Sequence, residues 1–301
     1  MRAILLGPQR RPTLGSLGLG SAGWPGPFAT VTAGWQEREP DDRELRALLD
    51  GRDVGLGLYR RWLDVQERDP QYAAAERGLQ GVLGELADLY LLRLDYALQA
   101  VFALQRRTSG SALAEAVAAV QSLDAAHLAR VNEVRGEFFD RLRPHDRPVI
   151  ALHRAEVADL LGSAAALIVA GGHVGVLAQA LHLFNVAAAL RSPVIAWSAG
   201  AMALADRIVL FGDRSAHGPG HPEVYGSGLS VVRDVVLLPH AKARLLLDDA
   251  PRMAVFARRF APARCLPLEA GTRVELSGDG LPAGTRVLGE DGHVTSLGEA
   301  A

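Results

Sequence analysis

The sequence predicts an α/β fold: a mostly parallel sheet with helices on both faces, a helical insertion and β-hairpins at the C-terminal end. Three observations predict it. Short uninterrupted apolar runs, Ala164–Ala170 and Val194–Ala196 among them, have the length and continuous hydrophobicity of strands covered on both sides. Small residues stand where these runs stop, Gly171-Gly172 after one and Ser198-Ala199-Gly200 after the other. Between the runs lie amphipathic segments with an apolar period of three to four residues.

In chain order, Arg2–Leu6 reads as a buried first strand, and the Gly-, Ser- and Pro-rich stretch Gly15–Pro27 as a loop. No Gly-Lys-Ser/Thr closes that stretch, so a phosphate loop is not expected. Phe28–Ala33 reads as a second strand. Gly34-Trp-Gln-Glu-Arg-Glu39 leaves its C-terminal end, where open α/β sheets gather their ligand sites. Glu39–Glu44 opens a helix, with proline and acids in the first turn. Val54–Leu58 is expected to form a third strand and to lead into another helix.

From about Asp69 to Arg143 Gly and Pro thin out. Leu79, Leu83, Leu86, Leu89, Tyr90, Leu94, Leu98 and Val101 recur at helical spacing. Thr108-Ser-Gly-Ser111 breaks the pattern once, so a helical hairpin or small bundle is expected over residues 69–143, interrupting a single α/β domain of residues 1–301. Its acids lack the Glu-x-x-His pairs of a di-metal bundle, and solvated helix faces are the expected use. Pro148–Leu152 and a helical Arg154–Gly162 restore the α/β alternation. Helices are expected over Val176–Leu190 and Ala241–Phe260. Short strands follow (266–268, 272–276, 285–288), with Gly-Asp-Gly and Glu-Asp-Gly turns that read as hairpins.

Composition narrows the function classes. With 301 residues, 49% hydrophobic and 22% charged, the chain can bury a substantial core. A net charge of −2 with interspersed signs offers no footprint for nucleic acid or an anionic membrane. One cysteine, Cys265, excludes an internal disulfide and a multi-cysteine zinc site. No apolar run reaches membrane-spanning length, and the N-terminal run ends early at a proline, so a cytoplasmic protein is expected.

The stretch Ser192–Ala205 organises the rest. A strand that runs into a serine, then small residues, then a helix is what a nucleophile elbow needs. The turn must lift the hydroxyl off the sheet, and the helix start beneath offers N–H groups to an oxyanion. The usual glycines stand two before and two after the serine; here the positions hold Ala196 and Gly200. An ordinary strand–helix turn carrying a serine is the other reading. A serine also needs a base held in one tautomer by a third group. Of nine histidines, His240 alone ends a strand-like apolar run, Val235–Pro239.

Taken together, Gly171-Gly172-His173, Ala196-Trp-Ser-Ala-Gly-Ala201, Gly226-x-Gly-Leu-Ser230 leading to Pro239-His240, and Leu266–Thr272 stand in the order found in peptidase family S51. The chain resembles that family, which holds cyanophycinases and the aspartyl dipeptidase peptidase E on a class I glutamine amidotransferase-like fold. The resemblance covers residues 148–280 well and 1–62 loosely, and leaves the helical segment unaccounted for. It implies a serine-type peptidase without cofactor or metal. Ser198 matches the nucleophile, His240 the base, and Ala199 with Gly171 and Gly172 the oxyanion hole. For the acid, the cyanophycinase-like habit points to Glu269 and the peptidase E-like habit to Asp213. The Glu-x-Gly-Thr context favours Glu269. Arg244 is expected to clamp a substrate carboxylate, with His173 and Trp197 also at the substrate. Leu238-Pro239 before the histidine, Ala241 after it, and His173 after Gly-Gly depart from the cyanophycinase pattern and argue against cyanophycin as substrate.

The expected function is therefore hydrolysis of a small peptide or isopeptide through a Ser-His-Glu triad and an acyl-enzyme. The alternative is a non-catalytic binding or scaffold protein of the same fold, whose helical insertion meets a partner. Glutamine amidotransfer is disfavoured, because that chemistry on this fold uses a cysteine at the elbow. The inserted helices are expected either to cover the site or to form a homodimer interface.

Overall fold

The computed structural model describes residues 1–9, 15, 17, 26–107, 110–212, 220–278 and 280–298. Strands β1 (Ala3–Leu6) and β2 (Phe28–Val31) are buried along their whole length, and every residue in them but Thr30 is apolar. A 3-10 turn (Ala33–Arg38) and helix α1 (Arg43–Leu48) lead to β3 (Asp53–Gly55) and α2 (Leu58–Arg68). Buried Glu39 accepts from the backbone N–H groups of Tyr59 at 3.0 Å and Arg60 at 2.8 Å, so the start of α2 is capped by a carboxylate that the sequence reading placed in the preceding helix.

Two long helices follow, α3 (Pro70–Gln105) and α4 (Ser111–Leu142). Asp69 caps α3 by accepting from Tyr72 N at 3.0 Å, with Pro70 in the first turn. Asp69 also pairs with Arg147, just before α5 (Pro148–Ser163), and so ties the hairpin to the helix that re-enters the α/β layers. Helix α5 already begins at Pro148, taking in Pro148–Leu152, because proline fits a first helical turn. Next come β4 (Ala166–Val169), α6 (Val174–Leu183), α7 (Val186–Ala189), β5 (Val194–Trp197) and α8 (Ala199–Leu204). The helix expected over Val176–Leu190 is broken at Asn185, which adopts a left-handed conformation (φ 52°).

The remainder comprises β6 (Ile208–Leu210), β7 (Glu223–Gly226), β8 (Val235–Pro239), α9 (Ala241–Arg244), α10 (Ala250–Phe260), β9 (Arg264–Leu268), β10 (Arg273–Leu276), β11 (Arg286–Leu288) and β12 (Val294–Ser296). The expected helix Ala241–Phe260 is thus two helices, the second opened by the Asp249 cap and Pro251.

The strands form a six-stranded sheet ordered β10-β1-β5-β4-β2-β3, parallel except for antiparallel β10 at its edge. This is the α/β architecture that the apolar runs predict. β8 and β9 do not join it. They pair in parallel within a second sheet, β12-β11-β9-β8, where β11 and β12 form a hairpin. The expectation of C-terminal hairpins is corrected at β10, which leaves its neighbours and pairs with β1, setting Leu5 opposite Val274.

A buried polar cluster joins the hairpin to the body. Arg259 on α10 donates twice to Asp124 on α4, at 2.7 and 2.8 Å, and once each to Tyr90 Oη at 2.9 Å and Pro222 O at 2.6 Å. Tyr90 on α3 donates to Asp124 at 2.8 Å and accepts from Val224 N at 3.1 Å. The His127 ring stacks on Tyr90 at 4.0 Å. Arg259 and Asp124 are only 3% and 2% exposed, so the bidentate pairing is what makes their burial tolerable.

Candidate active site

β5 lies between β1 and β4 in the middle of the larger sheet, and its last residue, Trp197, is buried. The chain then turns at Ser198, which holds φ 51° and ψ −125° before α8 begins at Ala199. A side-chain-bearing residue reaches that region only against steric strain, and the surroundings must hold it there. Glycines do so by letting backbone approach. A Cβ on Gly200 would stand 2.4 Å from Val169 O and 2.6 Å from Ala170 O, so α8 rests directly on the end of β4. A Cβ on Gly172 (φ 124°) would stand 2.3 Å from Gly34 O, the same carbonyl that accepts from His173 N at 2.8 Å. The chain of close contacts runs from the Ala33–Arg38 turn through Gly172 and Gly171 to Ser198.

Ser198, half-buried, opens into a cavity of about 470 Å³. Gly171, Gly172, Trp197, Ala199, His240 and Arg244 line the same cavity. His240 arrives from the other sheet. It follows β8 directly, adopts φ 60° and donates its backbone N–H to Leu268 O at 3.1 Å. Because Pro239 is in register with Leu268 on parallel strands, His240 and Glu269 leave the sheet side by side. The Glu269 carboxylate accepts from Lys242 N at 2.7 Å, across the first turn of α9, and its own N–H donates to Thr272 Oγ1 at 3.1 Å. Asp213 lies outside the described residues.

His173 stands between two residues that line the cavity, Gly172 and Val174. Its Nδ1 accepts from Val176 N at 3.2 Å and caps α6, with the residue exposed. Several wall residues escaped the reading. Trp35 comes from the turn after β2, Glu44 and Leu45 from α1, Gln9 from the segment after β1, and Phe211 from the end of β6. Trp35 had a sequence signal, its position just beyond the C-terminal end of a parallel strand, and Gln9 stands likewise just beyond β1. Two charged groups of opposite sign, Glu44 and Arg244, share the rim with apolar Trp35, Trp197 and Phe211. The cavity therefore offers side chains of both charges beside apolar wall.

Cys265 is fully buried on β9 and its thiol is pushed up to about 12 by that burial, which removes it from nucleophilic chemistry at neutral pH. Among the described residues, no three His, Cys, Asp or Glu side chains cluster to hold a metal ion, and no helix is long and apolar enough to cross a membrane.

No protein-family model and no curated protein matches the chain. Among solved structures, the crystal structure of a peptidase from an acI-B1 Actinobacterium is 14% identical, with a TM-score of 0.44 over 99% of this chain and 95% of that one.

Proposed function

We propose that the protein is a serine-type hydrolase of small peptides, with Ser198 as nucleophile. The observation that carries the proposal is the Ser198 backbone, held at φ 51° between a central parallel strand and a helix start, in a cavity that His240 also lines. Backbone strain of this kind costs about 1–3 kcal/mol and is kept where it serves a mechanism.

In the proposed reaction the Ser198 hydroxyl adds to the scissile carbonyl while His240 takes its proton. The N–H of Ala199 and those of Gly171 and Gly172 receive the developing oxyanion. Collapse breaks the C–N bond, and the leaving amine takes the proton from His240. Water then adds to the Ser198 ester with His240 as base, releasing the acid and restoring the hydroxyl. Glu269 orients the imidazole, since it leaves the sheet beside His240; Asp213 is the alternative for that role. Arg244 pairs with a substrate carboxylate and Glu44 with an ammonium, which makes a dipeptide or β-linked dipeptide the expected substrate class.

The test is hydrolysis of a panel of dipeptides, including N-terminal aspartyl and β-aspartyl ones, by wild type and Ser198→Ala, with intact-mass trapping of the acyl-enzyme. Wild type should turn over at least one of them. The alanine variant should lose about 1,000-fold or more in rate and carry no adduct. Equal turnover by the two proteins would remove Ser198 from the chemistry. Replacing Glu269 by Gln and Asp213 by Asn separately assigns the acid.

A further inference from the structure

A second cavity, of about 190 Å³, lies between the helical hairpin and β7, and no described residue lines both it and the Ser198 cavity. Helices α3 and α4 and strand β7 each supply part of its wall. On α3 that wall is kept low by Gly84 and Ala87, and a Cβ built on Gly84 has nothing within 4 Å. Leu83, Val131 and the stacked rings of Tyr90 and His127 give the cavity its apolar surface.

Two groups of opposite charge also line it, Arg135 from α4 and Glu223 from β7, and they do not pair with one another. Among the described residues Glu223 makes no hydrogen bond or ion pair, and Arg135 meets the Tyr225 hydroxyl but no carboxylate. Burial raises the pKa of the Glu223 carboxyl and lowers that of the Arg135 guanidinium. Each moves in the direction of a charge taken out of water without a counter-charge. Arg259 and Asp124, which meet Tyr90 from its other side chain neighbours, satisfy each other instead. Partly buried charges left without partners are costly, and a ligand that supplies the partners gains what they lack.

We propose that this cavity binds a free amino acid with an apolar side chain, its ammonium on Glu223 and its carboxylate on Arg135. A zwitterion brings both missing counter-charges in one molecule, whereas a simple cation or anion leaves the other group unpaired. The guanidinium fork suits a carboxylate, which it holds through two parallel N–H donors. At about 190 Å³ the cavity is smaller than the roughly 300–1,000 Å³ that takes a drug-sized ligand, which suits one amino acid better than a peptide. The apolar side chain of the ligand lies against Leu83, Val131 and the His127 ring.

The experiment is isothermal titration of the full chain with L-valine, L-leucine and L-phenylalanine. The amide and the N-acetyl derivative of each are titrated too, one lacking the carboxylate and the other the ammonium. Wild type should bind at least one of the three amino acids, and its two derivatives more weakly by about tenfold or more. Arg135→Gln should weaken the amino acid by about tenfold and leave its amide unchanged; Glu223→Gln should do the same and leave the N-acetyl derivative unchanged. Gly84→Phe, which fills the cavity from α3, should abolish binding with unchanged circular dichroism. Ser198→Ala and Arg244→Gln, both in the other cavity, should bind like wild type, so the outcome does not depend on the hydrolase reading. Absence of binding to all three at millimolar concentration, derivatives that bind as tightly as the amino acid, or binding that survives Gly84→Phe and disappears in Arg244→Gln would each overturn the proposal.

Discussion

Gly171 stands directly against Ser198: a Cβ at Gly171 would lie 2.9 Å from the Ser198 Cβ and 3.6 Å from its Oγ. The glycine at the end of β4 is thus part of the mould that holds the serine. Gly171→Ala should lower stability by about 1–3 kcal/mol through overpacking and slow any acylation of Ser198. Gly136→Ala is the control. That glycine sits inside α4, well before its last turn, with nothing within 4 Å of the added carbon, and alanine there should stabilise by about 0.5–1 kcal/mol. Urea unfolding of the two variants checks both signs.

The strain at Ser198 can be released by substitution. Ser198→Gly suits φ 51° better than serine does and should raise stability by about 1 kcal/mol while abolishing hydrolysis. Ser198→Ala, which keeps a Cβ, should abolish hydrolysis without that gain. A glycine variant less stable than the alanine variant would show that the elbow is not strained.

The buried cluster at Asp124 should be sensitive to loss of one charge. Asp124→Asn leaves Arg259 buried without its carboxylate and should cost about 3–5 kcal/mol. Thermal melting checks this, and hydrogen exchange should place the largest loss of protection at the junction of α3, α4 and α10.

Acid sensitivity should be traceable to Asp69. The Arg147 guanidinium, and then the Tyr72 N–H, hold its carboxyl below its usual value of 3.8. A carboxylate whose pKa is depressed by folding contributes stability that is complete above the unfolded value and is lost as pH falls through the folded one. Asp64 and Glu156 shift the same way through His153 and Arg61, so a single curve does not isolate one group. The difference between wild type and Asp69→Asn does. The variant should be less stable at neutral pH, and the gap should close as pH drops below 3.8, read as urea midpoints against pH.

Much of this molecule is legible in its residue order. Val194–Trp197 is apolar on both faces, so it must be a covered strand, and Ser198 followed by small residues must be a tight turn into a helix. The 3.6-residue period places α3 and α4 close to their observed bounds. Such features are local, because a strand or helix writes its burial into residues a few positions apart.

What lies beyond local periodicity is pairing between distant segments. Nothing within Arg273–Leu276 says that it adds to the edge of β1, or that β8 and β9 form their own sheet. The same holds for Trp35 and Glu44 reaching the Ser198 cavity, and for Glu269 turning its carboxylate to Lys242 N. Residue order alone determined the apolar central strands, the helical hairpin and the turn at Ser198. Only tertiary structure decided which side chains share a wall with that serine, because those distances are set by how the sheets and helices pack and not by any repeat along the chain.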